Sequence, residues 1–251
     1  MKDTTVVRPR RDPSAAKRFI CLGFCGGGAG SYVKWADAMP PGVEFAAICY
    51  PGREGRFVED FAGDWDELVD DALDAVVSAA GLPYVLFGHS MGGWVAFDVA
   101  AQIEEHGGPA PEALVVSSAN APSRGLTVAD MFPSQQDSDE QLIAWVKKFG
   151  LMPEHLLNSP DLQEMAVELM RADIRVRDSF HYREGAAVSA SVQVLTGDGD
   201  EVIDAHSKEQ WRKLARGAFQ HTALPGGHFY TPEIWNTLPS HITSINERTA
   251  L

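Results

Sequence analysis

The chain has 251 residues, 45% of them hydrophobic and 22% charged, with a formal net charge of −14. That suits one large globular domain, or one domain carrying an insertion, with room for a sizeable core. The acidic balance argues against a nucleic-acid binder, which needs a basic face, and against an anionic membrane surface as partner. The three cysteines, Cys21, Cys25 and Cys49, fit a reducing compartment better than a disulfide framework, so a cytoplasmic location is expected. Cys21 and Cys25 have no matching ligand pair, which excludes a zinc site.

Residues 1–16 include Arg8, Arg10 and Arg11 with no apolar run behind them. They do not read as a signal peptide and are expected to form a flexible tail. No apolar run is long enough to span a membrane. Arg18-Phe19-Ile20-Cys21-Leu22 predicts a strand that runs into a glycine loop, Gly23-Phe24-Cys25-Gly26-Gly27-Gly28-Ala29-Gly30. Ser31 onward, with Val33, Trp35 and Ala36, predicts a helix, and residues 43–50 predict a strand stopped by Pro51-Gly52. From Trp65 a helix is clear, because Trp65, Leu68, Val69, Ala72, Leu73 and Val76 share one face. Asp64 and Glu67 make a cap at its start. Tyr84-Val85-Leu86-Phe87 is a short buried strand, residues 94–105 its following helix, and Ala113-Leu114-Val115-Val116-Ser117-Ser118 another strand. Apolar strands alternating with helices mean an α/β fold, a mostly parallel sheet covered on both faces.

The alternation lapses over residues 122–186, which are expected to be a helical insertion. Ser138 and Gln141 form a capping box, and Leu142, Trp145, Val146 and Phe149 make one stripe ending at Gly150. Ser159-Pro160 starts a second helix with Leu162, Met165, Leu169 and Met170 on one face. Two readings fit these stripes: packing against the main domain, or a lid whose apolar face lines an acyl channel. The sheet resumes with residues 191–196, then a helix over 206–215, a strand over 220–224 and a closing helix from Pro232 to about Asn246. The core is therefore residues 17–121 and 187–251, with 122–186 as the lid.

Gly88-His89-Ser90-Met91-Gly92 lies between a strand and a helix. Gly-x-Ser-x-Gly in that setting holds a serine on a strained corner, off the edge of the sheet. A serine hydroxyl is a poor nucleophile at neutral pH; it needs a base to take its proton and an anion to orient that base. In an open parallel sheet such groups gather beyond the carboxyl ends of strands. His228, in the glycine-flanked loop after the last strand, is the base. Asp200, in the turn Gly197-Asp198-Gly199-Asp200, is preferred over Asp198 as the acid. The chain order Ser, Asp, His is that of the α/β-hydrolases. Of the other seven histidines, His89 precedes the nucleophile and is expected to face away, and the remaining six lie in predicted helices, strands or the insertion. The backbone N–H groups of Met91 and Cys25 are the expected oxyanion donors. A phosphate-binding reading of the glycine loop fails, since no Gly-Lys-Ser/Thr follows.

The pieces Cys21-Leu22-Gly23-Phe24-Cys25-Gly26-Gly27-Gly28-Ala29, Tyr50-Pro51-Gly52-Arg53-Glu54, Phe87-Gly88-His89-Ser90-Met91-Gly92, Arg171-Ala172-Asp173 and Pro225-Gly226-Gly227-His228-Phe229 together resemble a type II (external) thioesterase of polyketide and nonribosomal peptide assembly lines. The resemblance spans about residues 18–245, although the family commonly has proline-tyrosine where Gly23-Phe24 stands and alanine at Cys25. It implies removal of stalled acyl groups from the phosphopantetheine arm of an acyl or peptidyl carrier protein, a transient partner. No metal or cofactor is implied, the arm entering as part of the substrate, and a monomer is expected. Arg53 and Glu54 match a family turn and read as structural. Because this chain is acidic and the family's carrier proteins typically are too, docking is expected at a local patch near the lid, with Lys147, Lys148 or Arg171 as candidates. A product-releasing thioesterase, a carboxylesterase and a non-catalytic binding module of the same fold are the alternatives.

Overall fold

The computed structural model describes residues 4–149 and 159–246. Among them, β1 (Val6–Val7), β2 (Lys17–Leu22), β3 (Val43–Ile48), β4 (Tyr84–His89), β5 (Ala113–Ser117), β6 (Ser191–Gly197) and β7 (Phe219–Leu224) form one sheet, in the order β1-β3-β2-β4-β5-β6-β7. β2 to β7 pair in parallel, and β1 runs antiparallel to β3. The helices are α1 (Trp65–Ala79), α2 (Met91–Glu105), α3 (Asp139–Lys148), α4 (Pro160–Asp178), α5 (Ser207–Leu214), α6 (Pro232–Thr237) and α7 (Thr243–Asn246).

The inner strands are mostly apolar because both faces of the sheet are covered there. Successive side chains alternate: Ile20, Leu22, Leu86, Leu114 and Val116 join α1 and α2 in one core, while Phe19, Cys21, Val85, Phe87 and Val115 face Tyr32, Trp35 and Leu238 in a second. β3 lies on one side of β2 and β4 on the other, so the strand order switches direction between β2 and β4. Loops leaving the two strands there diverge and open a crevice at their carboxyl ends. Leu22 is in register with Gly88, which sets the glycine loop after β2 beside the serine turn after β4.

The amino-terminal segment is partly built into the sheet. Val6 pairs with Ile48 and Val7 with Ala47, and the Cys49 N–H donates to the Thr5 carbonyl at 2.8 Å. β3 would otherwise present an unpaired edge, and two β-branched residues suffice to cover part of it. A two-residue strand is too short to show any periodicity.

The predicted helix after the glycine loop is a 3-10 helix, Ala29–Ala38. Its buried residues, Ala29, Tyr32 and Trp35, recur every three positions, the spacing that a three-residue turn stacks in line. The single closing helix becomes α6, a 3-10 turn over Leu238–His241, and α7. Pro239, with no N–H and a ring that crowds the preceding turn, interrupts it.

Residues 122–186 contain no strand among those described. The Ser138–Gln141 capping box is present at the start of α3. Leu142 and Val146 are buried; Gly150, where the stripe was expected to end, lies outside the described residues. In α4 the buried face differs from the apolar one. Val167, Met170, Asp173, Ile174 and Arg177 are buried, while Met165 is exposed. Two charged residues point inward because each finds a partner there, and hydrophobic spacing cannot register that.

Candidate active site

Ser90 sits between β4 and α2 with φ 53° and ψ −125°, in the positive-φ region that costs about 1–3 kcal/mol for a non-glycine residue. Close packing enforces the corner. A Cβ on Gly88 would lie 1.9 Å from the Gly92 carbonyl oxygen, so nothing larger than glycine fits. The Ser90 hydroxyl makes no capping bond to α2 and is left for other work. Met91 opens α2, so its N–H has no intrahelical acceptor and faces outward with the positive end of the helix.

Residues 90, 200 and 228 meet at the rim of the sheet. His228 Nε2 is 3.0 Å from Ser90 Oγ, and His228 Nδ1 is 3.0 Å from Asp200 Oδ2. The Asp200 side chain is 1% exposed. Its other oxygen accepts the Val202 N–H at 3.1 Å. The loops after β6 and β7 cross closely: a Cβ on Gly197 would stand 2.2 Å from the Gly227 oxygen. Asp198 secures that crossing by accepting the Gly226 N–H at 2.9 Å, and Asp200 is the carboxylate brought to the imidazole.

The glycine loop after β2 borders the same space. The Gly26 N–H donates to Asp173 Oδ2 at 2.7 Å and the Gly27 N–H to the Phe24 carbonyl at 2.8 Å. Both are committed to partners within the fold; the Cys25 N–H between them and Phe24 is the one expected from the sequence to serve as a donor. Burial, assisted by Asp173, pushes the Cys25 thiol up to about 12, so it stays protonated and inert. Sequence patterning gave no hint that Asp173 reaches this loop, because a buried carboxylate on a helix announces itself only through its partner.

Ser90, Met91, Cys25 and His228 open into a cavity of about 680 Å³ that Trp145 and Phe149, at the end of α3, also line. Trp94, Ala119 and Phe132 give it apolar walls, and Asn120, Asp130 and Arg177 a polar end. A second cavity, about 570 Å³, adjoins the first and shares Phe24, Lys148, Phe149, Gly227, His228 and Phe229 with it. Lys147 and Lys148 line it, both exposed. Lys148 Nζ lies 5.3 Å from the centre of the Phe149 ring. Arg171 is committed elsewhere, donating to the Gln135 and Asp137 carbonyls and to Asp139. It braces α4 against the start of α3. Among the described residues, no group of His, Cys, Asp and Glu side chains is placed to share a metal ion.

His89 does not face away. Its ring lies 5.2 Å from that of His228, and Nδ1 is 2.9 Å from Ser117 Oγ, which is 2.7 Å from the Tyr230 hydroxyl. This buried row ties the end of β5 to the residue two positions after His228. Burial pulls the His89 imidazole well below its ordinary range, and His228 adds to the pull. Folded His89 is therefore neutral, whereas in the unfolded chain it takes up a proton near pH 6.5. The unfolded chain then binds more protons as pH falls, so stability decreases as pH drops through 6.5, by about 1 kcal/mol between pH 6.5 and 5.5. His221 is shifted the same way by burial. Urea unfolding at pH 7.0 and 5.5 of the wild type and His89→Gln isolates the His89 share: the variant is expected to lose less on acidification.

The sequence profile described as "Thioesterase domain" matches residues 17–248. Thioesterase PikA5 of Streptomyces venezuelae is 30% identical over 237 residues, covering 92% of this chain and 81% of the relative. The medium-chain S-acyl fatty acid synthase thioesterase of Homo sapiens is 30% identical over 223 residues, covering 88% and 83%. Among solved structures, the type II thioesterase BorB from the borrelidin biosynthetic cluster superposes with a TM-score of 0.84 at 32% identity, covering 96% of this chain and 97% of that one.

Proposed function

This chain belongs to the thioesterase domain family, with the α/β-hydrolase type of fold, and on that premise we propose that it is a serine thioesterase that clears acyl groups from the phosphopantetheine arms of carrier proteins in polyketide or nonribosomal peptide assembly. The observation that carries the reading is the hydrogen-bonded row Ser90–His228–Asp200 lining a largely apolar cavity.

In the proposed reaction His228 Nε2 takes the Ser90 proton as Oγ attacks the thioester carbon. Asp200 holds the imidazole by Nδ1–H and stabilises the imidazolium. The carbonyl oxygen becomes an oxyanion and receives the N–H groups of Met91 and Cys25, each worth roughly 3 kcal/mol in the transition state. The carbon–sulfur bond breaks and His228 returns the proton to the departing thiol, leaving an acyl ester on Ser90. Water, deprotonated by His228, attacks the ester; the Ser90–acyl bond breaks, Ser90 regains its proton and a carboxylic acid leaves.

The two cavities suit the two ends of such a substrate. The larger surrounds Ser90 and takes the acyl group. The thiol must approach His228 for its proton, and the second cavity also reaches His228. Its exposed lysines would meet the arm's phosphate. Two exposed charge pairs at about 0.5–1 kcal/mol each amount to about tenfold in binding. Lys147→Glu/Lys148→Glu is therefore expected to raise KM about tenfold or more for an acyl-phosphopantetheinyl carrier, to leave kcat unchanged, and to leave acyl-pantetheine, which has no phosphate, unaffected.

Steady-state hydrolysis of matched acyl-carrier, acyl-coenzyme A and simple ester substrates tests the reading. A kcat/KM highest for the carrier, and higher for short, non-extendable acyl groups than for a full-length chain, supports clearance. A preference for the finished chain makes the enzyme a product-releasing one, and a preference for simple esters makes it a carboxylesterase.

A further inference from the structure

We propose that the buried Arg53–Asp173 pair is a positioning clamp that holds the glycine loop after β2 in the shape in which its Cys25 N–H meets the oxyanion, so that α4 and the oxyanion site are set together. The proposal rests on the serine-thioesterase reading above and adds two residues that touch no reacting atom.

The pair is placed on the loop itself. Arg53 Nη2 donates to Asp173 Oδ1 at 2.6 Å and Nη1 to Oδ2 at 2.9 Å, a fork against a carboxylate. The same Nη1 donates to the Gly27 carbonyl at 2.8 Å, and the same Oδ2 receives the Gly26 N–H. Arg53 and Asp173 are both almost fully buried. The Gly26 N–H belongs to the peptide group that joins Cys25 to Gly26. Fixing that group, and the Gly27 carbonyl beyond it, limits rotation of the neighbouring peptide that carries the Cys25 N–H.

Surrounding contacts act in the same direction. Gly26 has φ 76°, and a Cβ there would stand 2.4 Å from Met170 Cε, so the methionine one turn before Asp173 fills the glycine's open side. Met170 Sδ is 3.6 Å from Cys25 Sγ. Glu54 receives the Ala29 and Gly30 N–H groups at 3.0 and 2.7 Å, and the Tyr50 hydroxyl donates to the Gly23 carbonyl at 3.3 Å. A glycine-rich loop has much conformational freedom to lose, while an oxyanion site works by being rigid before the reaction starts. A buried ion pair is weak support for stability, since apolar residues of similar volume often serve the fold as well. Its place on the donor loop is accounted for by positioning.

The test uses the full chain as Asp173→Asn, which keeps an acceptor for Gly26 but loses the charge, and as Arg53→Met/Asp173→Leu, which leaves no unpaired buried charge. Folded fraction is read by circular dichroism, kcat and KM with acyl-pantetheine, and inhibition with an alkyl boronic acid, whose adduct on Ser90 places an oxygen among the oxyanion donors. Per folded molecule, kcat is expected to fall about 10- to 100-fold, KM to move less than about threefold, and boronate affinity to weaken by the same factor as kcat. A folded variant that keeps wild-type kcat and boronate affinity overturns the clamp. So does activity lost only in step with the folded fraction, or failure of both variants to fold, since each makes the pair a strut. A wild-type enzyme that neither hydrolyses acyl-pantetheine nor binds the boronate would instead remove the serine-thioesterase reading, before any variant is compared.

Discussion

Ser90→Ala is expected to lower kcat for thioester hydrolysis by roughly 10⁴- to 10⁶-fold, with the fold intact. The hydroxyl is the atom His228 Nε2 faces at 3.0 Å, and no other serine stands there among the described residues. Alanine keeps the Cβ, so the positive-φ corner is no more strained than before. The hydroxyl caps nothing, so α2 loses no bond. Residual rate would come from the oxyanion donors and the cavity acting on water alone. Steady-state assays beside thermal melts by circular dichroism check both halves. A folded Ser90→Ala enzyme with kcat within tenfold of wild type would reject the nucleophile.

The second large effect falls on the acid. Asp200→Asn is expected to lower kcat by roughly 10⁴-fold, because an amide offers its N–H₂ to Nδ1 and favours the tautomer that leaves no free Nε2 lone pair for the Ser90 proton. The carboxylate is enclosed against His228 with a backbone N–H on its other oxygen, so no other anion replaces it. Asp198→Asn is the control. Its carbonyl oxygen still accepts the Gly226 N–H, and a change of about threefold or less is expected, the cost of one weakened neutral bond. Parallel kcat measurements separate two carboxylates two positions apart in one turn. Equal losses would mean that the loop crossing, and not the imidazole, sets the rate.

The cavity's two-sided design bears on substrate choice. Trp145 and Phe149 come from the carboxyl end of α3, and Phe149 lines both cavities. The same helix end thus touches both halves of the proposed substrate, while α4, one helix on, reaches the donor loop through Met170 and Asp173. One segment inserted between β5 and β6 thus lines the cavity at Ser90 and also holds the glycine loop after β2.

Much of this molecule is legible without coordinates, for a physical reason. Strands buried on both faces are mostly apolar, so β2, β4, β5 and β6 show as short, largely apolar runs. A serine on a corner that admits only glycine two positions either side leaves a pattern at fixed spacing, and the loops after β6 and β7 mark the neighbourhoods of Asp200 and His228. Local chemistry writes those features, and they survive in the one-dimensional order. Other features depend on partners distant in the chain. Val6–Val7 is a strand only because β3 has a free edge to cover. His89 turns inward because Ser117 and Tyr230 wait there. α4 buries Asp173 and Arg177 and exposes Met165, against its hydrophobic pattern, because Arg53 and the Pro133 carbonyl supply charge and hydrogen bonds across the fold. A buried charge costs too much to exist alone. Where one sits is decided by which counter-charge the tertiary structure brings to it, and the Arg53–Asp173 contact joins residues 120 positions apart.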